Sequence, residues 1–463
     1  MKLKTLPVKV DPDSIYENDR LRRKEYVDNL TVLLSNVEAP LVLSINAPWG
    51  AGKTTFLKML HANLASQKTN VVYFSAWETD FASDPLLAFL GEMNAFLSSQ
   101  LQDSFGKRAW EKAKSAGGQI LKRVVPVAVK VGTAGVIDLE QAFEGEASAL
   151  AGALSNDIIE GYIKNKELID VFKENIRKML VGTEEGEGLG RLCIFVDELD
   201  RCRPTYAIEL LERIKHLLDI PGLIFVLALD KTQLAHSVKA VYGADFDAAG
   251  YLKRFIDIEY GLPEPDLDVF VDYLFDHNDF EAYFRSTGMQ DLQRDGQSLR
   301  SSMQLLAKSQ KLSLRSIEQL FTRLKLLIMS TPVSQPFHPD ITLYLIYLKE
   351  FDRLAYEGFV VGGSEAQRSI DLIPKVFSSG YESSEMVHQF VHAEILSAQS
   401  SKDPEWVKLQ IEGLRRVQSE GTELSQYYAG RVIQLYEYHQ GVRSRVRIQP
   451  LIRRVEMLEN FQM

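Results

Sequence analysis

One segment constrains the fold more than any other part of the chain: residues 39–66, which read "APLVLSINAPWGAGKTTFLKMLHANLAS". The apolar run at 39–46 is typical of a short buried strand. A glycine-containing turn follows, and residues 53–65 then repeat apolar side chains at helical spacing. Strand, glycine loop and helix in this order form the context in which such a loop binds phosphate. The segment therefore predicts an α/β fold with a phosphate site after the strand.

The loop fits the pattern G-x-x-x-x-G-K-[ST] with one departure. The match runs from position 47 to position 54, but Ala47 stands where glycine is usual. That position leaves the strand and mainly needs a small side chain, so we expect alanine to serve. Gly50 and Gly52 matter more, because the backbone must curl around phosphates with its N–H groups inward. An ordinary glycine turn before a helix is the alternative.

If the loop binds a nucleotide, its side chains have separate tasks. Lys53 is placed to reach the β- and γ-phosphates, and the Thr54 hydroxyl is placed to ligate Mg²⁺. The residues that we expect to contact the nucleotide are Pro48, Trp49, Gly50, Ala51, Gly52, Lys53, Thr54 and Thr55.

A second motif, "RLCIFVDELDRCRP" at 191–204, is an apolar strand that ends in acids. Asp197 is placed to hold the Mg²⁺ shell, and Glu198 can orient or deprotonate an attacking water. This adjacent acid favours a hydrolase over a kinase, because a kinase must exclude water. A solvated loop glutamate is the alternative for Glu198. Asp200 either supports the same site or pairs with Arg201.

Further apolar runs at 70–77, 222–230 and 254–263 bring the predicted strands to five, and helical patterns separate them. Alternation of this kind predicts an α/β fold with a mostly parallel sheet covered by helices on both faces. Asp230 ends one strand where a γ-phosphate sensor often lies, although an acid near phosphate needs a mediating water or metal. We expect an α/β domain over 1–265, with a helical insertion at about 85–185, and an all-α region over 266–463.

Taken together, these motifs resemble the KAP family of P-loop NTPases, in the group that includes the AAA and STAND proteins. The resemblance rests on "APWGAGKTTFL", "YFSAWETDFASDPLLAFL", "IFVDELDRCRP", "VLALDKTQLAHSV" and "YLKRFIDIEYGLP". It covers roughly residues 15–265 and extends more weakly to about 330. The departures are alanine at 47 and at 76, and neither removes a phosphate or metal ligand. The resemblance implies ATP hydrolysis with Mg²⁺, action together with partner proteins, and a link to bacterial anti-phage defence.

Two arginines gain candidate roles from this resemblance. Arg254 directly precedes the last predicted strand, where AAA-like ATPases place an arginine finger that reaches a neighbouring subunit's γ-phosphate. Lys253 is its rival, and a surface Lys-Arg pair facing Asp257 or Glu259 is the alternative. Arg315 opens an amphipathic helix and resembles the sensor arginine of a helical lid, with a first-turn surface arginine as the alternative.

Charge patterning leaves the partners open. The formal net charge is −10, which argues against a protein that coats nucleic acid with its whole surface. Residues 107–130 nevertheless carry seven Lys or Arg against one Glu, and 441–454 carry five arginines and no acid. The first stretch could contact a membrane surface or nucleic acid, with packing against its own domain or a partner chain as the alternative. The second could bind phosphates or an acidic partner surface, with a solvated or subunit-packing face as the alternative. The apolar stretch 124–137 is broken by Pro126 and Lys130 and is shorter than a membrane span.

The sequence start has no apolar core of signal-peptide length, and the only cysteines are Cys193 and Cys202. We therefore expect a cytoplasmic protein without a disulfide framework. The favoured hypothesis is an ATP-dependent switch or motor that forms homo-oligomers and acts with partner proteins. One alternative is a nucleotide-stabilised scaffold that recruits an effector. Another is a DNA-stimulated ATPase, which rests on the basic stretches alone.

Overall fold

A computed structural model describes residues 9–37, 40–82, 84–101, 104–133, 166–183, 186–215, 219–280, 283–284, 290–331, 338–378, 383–441 and 446–458. The chain divides into two compact units, Val8–Pro263 and Glu264–Met463. The first unit contains a sheet and the helices that cover it. Described residues of the second unit form helices and the loops that join them.

The first unit is built on a five-stranded parallel sheet with the order β2-β5-β6-β1-β7. Its strands are β1 Leu41–Asn46, β2 Asn70–Ser75, β5 Leu192–Asp197, β6 Leu223–Leu229 and β7 Ile258–Gly261. A separate two-residue pair, β3 Gly182–Thr183 and β4 Gly186–Glu187, is antiparallel. Parallel strands need crossover connections, and helices supply them here. The predicted parallel α/β sheet is confirmed.

Helices of the first unit lie on both faces of the sheet. They are α1 Lys24–Asn36, α2 Lys53–Ser66, α3 Pro85–Gln100, α4 Ser104–Thr133, α5 (described over 166–181), α6 Pro204–Ile214, α7 Lys231–Tyr242 and α8 Ala248–Leu252. Successive strand residues enter different cores: Ile194 packs with the cluster that includes α3 and α6, whereas Cys193 packs with the cluster that includes α1 and α2. Because both faces are covered, the central strands are apolar throughout rather than alternating.

The expected helical insertion contains α3, α4 and α5, together with residues 134–165, which lie outside the described part of the chain. The apolar stretch 124–137 enters α4, whose backbone stays helical to Thr133, past Pro126. Among the described residues, no helix combines the length and the apolar character that a membrane crossing requires.

The second unit contains α9 Leu267–His277, α10 Gln290–Ser309, α11 Leu314–Ser330, α12 Pro339–Phe351, α13 Arg353–Val361, α14 Gln367–Asp371, α15 Ile373–Val376, α16 Ser383–Gln399, α17 Pro404–Glu420, α18 Glu423–His439 and α19 Ile448–Met457. Of the arginine-rich stretch 441–454, residues 442–445 lie outside the described part of the chain, and they include Arg443 and Arg445.

A buried carboxyl group joins two helices inside the second unit. Asp340, at the start of α12, accepts hydrogen bonds from the hydroxyls of Ser298 and Ser302 on α10, each at 2.6 Å. Burial, reinforced by the nearby Glu394 carboxylate, raises the pKa of Asp340 to about 6. Glu394 itself lies 3.3 Å from Nδ1 of His338.

Candidate functional site

The glycine loop joins β1 to α2 at the carboxyl end of the sheet. Ala47 is buried, and its N–H donates to the Leu229 carbonyl of neighbouring strand β6 at 3.3 Å. Gly50 and Gly52 have φ values of 78° and 81°. This left-handed region strains residues that carry a Cβ, so the tight curl depends on glycine at both positions.

The first turn of α2 has no side-chain cap: its N-cap is Gly52, which has no side chain to accept a hydrogen bond. The first N–H groups of a helix have no partner within the helix, and they carry the positive end of its dipole. Backbone donors in such an arrangement suit a polyphosphate. The loop therefore has the donor set that phosphate binding requires.

Lys53, the first residue of α2, lies over its own loop. Its Nζ donates to the carbonyl oxygens of Ala47 at 2.6 Å and Pro48 at 3.3 Å. Burial lowers the pKa of Lys53, and the negative charges of Asp200 and Asp230 oppose that shift. The ammonium group is thus held by neutral carbonyls, which are weaker acceptors than phosphate oxygens.

Asp197 ends β5 with a side chain that is 1% exposed. The Tyr73 hydroxyl donates to its Oδ2 at 2.5 Å, and the backbone N–H of Glu198 donates to its Oδ1 at 2.9 Å. Burial raises the pKa of Tyr73, and the Asp197 carboxylate adds to that shift. Tyr73 lies on β2, which pairs with β5 so that Ser75 stands beside Asp197. The hydroxyl therefore fixes the orientation of the Asp197 carboxylate.

Glu198 follows directly and has a left-handed φ of 62°, which is uncommon outside glycine. Its Oε1 accepts from Nη1 of Arg201 at 2.5 Å, and its Oε2 accepts from the Ser75 hydroxyl at 3.3 Å. The Glu198 side chain is 16% exposed. Burial raises its pKa, while Arg201 acts in the opposite direction. Both carboxylate oxygens are thus held beside the end of β5.

Trp49 connects the glycine loop to this acidic segment. Its Nε1 donates to Oδ2 of Asp200 at 2.5 Å. Asp200 therefore contacts the loop, and Arg201 pairs with Glu198 instead of Asp200. These contacts are those expected if Asp200 supports the same site, and that role stays a prediction.

Asp230 directly follows β6, and its carboxylate is hydrogen-bonded to the first turn of the next helix, α7. Its Oδ1 accepts from the N–H groups of Thr232 at 3.0 Å and Gln233 at 3.2 Å, so it caps α7. These two hydrogen bonds stabilise the carboxylate of a residue that is 7% exposed. Its role as a phosphate sensor stays a prediction.

Arg254 is exposed and precedes β7, the edge strand. Because β7 begins beside Leu43 and runs parallel to β1, Arg254 lies toward the amino ends of the strands, whereas the glycine loop follows their carboxyl ends. The acids of the surface-pair alternative have other partners as well, although the positive charge of Lys253 helps to lower the pKa of Glu259, which is lowered chiefly by its hydrogen bond from Lys231. Asp257 accepts from the Val42 N–H at 2.8 Å, and Glu259 pairs with Lys231 at 2.5 Å.

Arg315 is the second residue of α11, in the second unit, and its side chain is exposed. Its positive charge lowers the pKa of Glu318, which burial raises. Glu318 is thus its electrostatic neighbour along the helix. The sensor role of Arg315 stays a prediction.

Sequence reasoning missed three residues that contact the candidate site: Tyr73, Ser75 and Arg23. Tyr73 and Ser75 belong to β2. The apolar pattern there predicted a strand but did not indicate that this strand pairs with β5. Arg23 lies in the charged segment "DRLRRKE", which has no pattern that links it to the loop. In the structure Arg23 is 3% exposed and donates hydrogen bonds to the carbonyls of Ala51 and Gly52.

Comparison with known proteins supplies independent evidence. A model of the KAP family P-loop domain matches residues 23–330. The phage T7 exclusion protein of Escherichia coli K12 is 22% identical over 242 residues, which are 51% of this chain and 32% of that protein. The match thus spans about a third of that relative's length.

Solved structures also share similarity with the chain. The ORC2 protein of Aeropyrum pernix, in ADPNP-ADP complexes, is 10% identical with a TM-score of 0.31, and the match covers 95% of this chain and 94% of that one. AMPPCP-bound DnaA from Aquifex aeolicus is 13% identical with a TM-score of 0.28, over 94% and 99% of the two chains.

Proposed function

The chain belongs to the KAP family of P-loop domains, and on that premise we propose that it is a Mg²⁺-dependent ATPase that acts as a switch. One observation carries the proposal: the hydrogen bond from Trp49 to Asp200 brings the glycine loop to the acidic end of β5. Phosphate donors and the two acids needed for hydrolysis, Asp197 and Glu198, thereby meet at one edge of the sheet.

Binding of the triphosphate uses the loop and α2. The N–H groups of the first turn hold phosphate oxygens, and the helix dipole favours their negative charge. Lys53 exchanges its two carbonyl partners for β- and γ-phosphate oxygens. This exchange is favourable because phosphate oxygens carry negative charge, so they add a Coulombic attraction for the ammonium group that neutral carbonyls lack.

The residues around the loop also fit Mg²⁺. Thr54 offers a hydroxyl and Asp197 a carboxylate, and hard oxygen ligands of this kind are the ones that Mg²⁺ prefers. Each Asp197 oxygen accepts one hydrogen bond and keeps a further lone pair. When bound, the metal would neutralise charge on the β- and γ-phosphate oxygens.

Glu198 orients or deprotonates the attacking water. It must be ionised for this task, and the positive charge of Arg201 at 2.5 Å favours the ionised form. The same ion pair occupies Oε1, so a water that binds Glu198 uses a free lone pair of this carboxylate or replaces Arg201. Arg201 therefore holds Glu198 charged and in place between turnovers.

The proposed switch also implies an assembly state and a cellular role. We infer a homo-oligomer in which Arg254 reaches a neighbouring γ-phosphate, because its own loop lies toward the other ends of the strands. A cytoplasmic location, partner proteins and a role in anti-phage defence belong to the same proposal, the last on the name of the phage T7 exclusion protein. Expression of the wild-type chain, but not of Lys53→Ala, should then reduce phage plating efficiency.

A second candidate is a nucleotide-stabilised scaffold with little turnover. The observation that favours it is that both Glu198 oxygens already accept hydrogen bonds, from Arg201 and Ser75. The scaffold predicts tight nucleotide binding and almost no hydrolysis, with or without a partner protein. The switch predicts hydrolysis in at least one of those conditions.

Phosphate release by the purified chain tests the proposal. Turnover should require both ATP and Mg²⁺, stop on addition of EDTA, and be abolished in Lys53→Ala. Lys239→Ala, at an exposed lysine of α7, is the control and should keep wild-type turnover. Normal turnover by Lys53→Ala would overturn the ATPase proposal.

A further inference from the structure

Arg23 is a buried cation whose hydrogen bonds go to the glycine loop. Its side chain comes from the residue before α1, and only 3% of the residue is exposed. Nη2 donates to the Ala51 carbonyl at 2.7 Å, and Nη1 donates to the Gly52 carbonyl at 3.1 Å. The planar fork of one guanidinium thus spans two successive peptide units of the loop.

Burial of a charged guanidinium costs free energy unless its charge is paired and its N–H groups are hydrogen-bonded. A buried charge is usually paired with an opposite charge, but no carboxylate of the described residues forms an ion pair with Arg23. Burial lowers the pKa of Arg23 to about 10, while Asp19 acts in the opposite direction. Asp19 instead accepts from the backbone N–H groups of Arg23 at 2.9 Å and Lys24 at 2.8 Å, which anchors the Arg23 backbone.

Peptide geometry shows what the guanidinium controls. In a planar trans peptide the C=O and the following N–H point in opposite directions. The Ala51 carbonyl therefore sets the direction of the Gly52 N–H, and the Gly52 carbonyl sets that of the Lys53 N–H. Holding both carbonyls on the Arg23 side turns both N–H groups away from Arg23, toward the mouth of the loop.

Glycine makes such a restraint necessary. Gly52 has a φ of 81° and no Cβ, so rotation of its neighbouring peptide planes meets little steric resistance. The Gly52 carbonyl is also held within α2, because it accepts from the Phe56 N–H at 3.1 Å. Among the described residues, the donor to the Ala51 carbonyl is Arg23. The peptide between Ala51 and Gly52 thus depends most on Arg23.

We propose that Arg23 is a positioning residue for polyphosphate binding: it orients the Gly52 and Lys53 N–H groups toward the phosphates of the nucleotide. The inference rests on the proposed nucleotide function. It assigns Arg23 to the phosphates and not to the base, since both its hydrogen bonds reach loop carbonyls.

The test measures equilibrium binding of two ligands to the full chain: ATP, and inorganic tripolyphosphate, which has no base or ribose. Arg23→Lys keeps the charge and the aliphatic stem but loses the two-pronged fork. Arg22→Lys, the same substitution at the exposed neighbouring position, is the matched control. Arg23→Ala is measured with added guanidinium chloride at millimolar concentration, and with ammonium chloride at the same ionic strength.

Arg23→Lys should raise the Kd of ATP and of tripolyphosphate by the same factor, about tenfold or more, because hydrogen bonds to charged groups are lost or misaligned. Arg22→Lys should stay within about twofold of wild type. Guanidinium, but not ammonium, should restore affinity to Arg23→Ala. If Arg23→Ala does not fold, the Arg23→Lys measurement decides.

Two results would overturn the inference about Arg23 and leave the proposed nucleotide function intact. One is wild-type affinity in Arg23→Lys. The other is a loss for ATP without a loss for tripolyphosphate, which would place Arg23 on the base or ribose. Failure of the wild-type chain to bind ATP would instead remove the proposed function, and the inference with it.

Discussion

Tyr73→Phe isolates the hydroxyl that orients the expected magnesium ligand. The substitution removes one hydrogen bond, 2.5 Å long, to Oδ2 of a carboxylate that is 1% exposed. A hydrogen bond to a charged group contributes about 1.5–3 kcal/mol. If that contribution is used to hold Asp197 for the metal, its loss corresponds to about a 10- to 150-fold weaker affinity for Mg²⁺. Mutation of a residue that hydrogen-bonds a metal ligand typically lowers metal affinity or activity by about 10- to 100-fold.

The assay is ATP turnover as a function of free Mg²⁺ at saturating ATP. The half-saturating Mg²⁺ concentration should rise by about 10- to 100-fold in Tyr73→Phe, whereas turnover at saturating Mg²⁺ should recover most of the wild-type rate. The rate recovers because Asp197 remains present and high Mg²⁺ compensates for its weaker orientation. Tyr251→Phe, which removes a hydroxyl that donates to Oε1 of Glu212 at 2.9 Å, is the control and should leave the Mg²⁺ curve in place.

Thermal unfolding of the same variants separates positioning from simple stabilisation. A purely structural hydroxyl would lower Tm by about 2–4 °C per kcal/mol lost without moving the Mg²⁺ curve. That combination, a lower Tm with unchanged Mg²⁺ dependence, would refute the reasoning.

Two further predictions concern assembly and pH. Arg254→Ala should bind ATP but lose turnover, and mixing Arg254→Ala with Glu198→Gln protein should restore some hydrolysis. Wild-type turnover by Arg254→Ala, together with specific activity that is independent of protein concentration, would exclude action of Arg254 between subunits. In the second unit, the free energy of unfolding should fall as pH rises from about 4 to about 6. The native state keeps the Asp340 proton up to about pH 6, whereas the unfolded chain releases it near 3.8. Asp340→Asn should remove that part of the slope in urea titrations, and an unchanged slope would contradict the assignment.

The elements around the glycine loop could be predicted because their signals are local. Residues 39–66 contain an apolar run, two glycines and a helical repeat within one short segment. Ala47 is a clear case: the structure buries it at 6% exposure beside Leu229, where a small side chain fits. Apolar runs likewise revealed the parallel sheet, since strands covered on both faces are apolar throughout.

Contacts between distant segments could not be predicted in the same way. Tyr73 and Asp197 are 124 positions apart, and they meet because β2 pairs with β5 in one particular register. The sequence contains no signal for the strand order β2-β5-β6-β1-β7. Arg201 shows the same limit at short range, because two acids lie within reach along the chain and packing selects Glu198 over Asp200.

The nucleotide retained by Glu198→Gln tests the central claim most directly. The amide keeps the shape of the side chain but cannot accept a proton from water, so the chain should bind Mg·ATP and hydrolyse it about a hundredfold more slowly or worse. After incubation with ATP, chromatography of the bound nucleotide should find mainly ATP on Glu198→Gln and mainly ADP on the wild type. Wild-type turnover by Glu198→Gln, or absence of bound nucleotide on both proteins, would contradict the account.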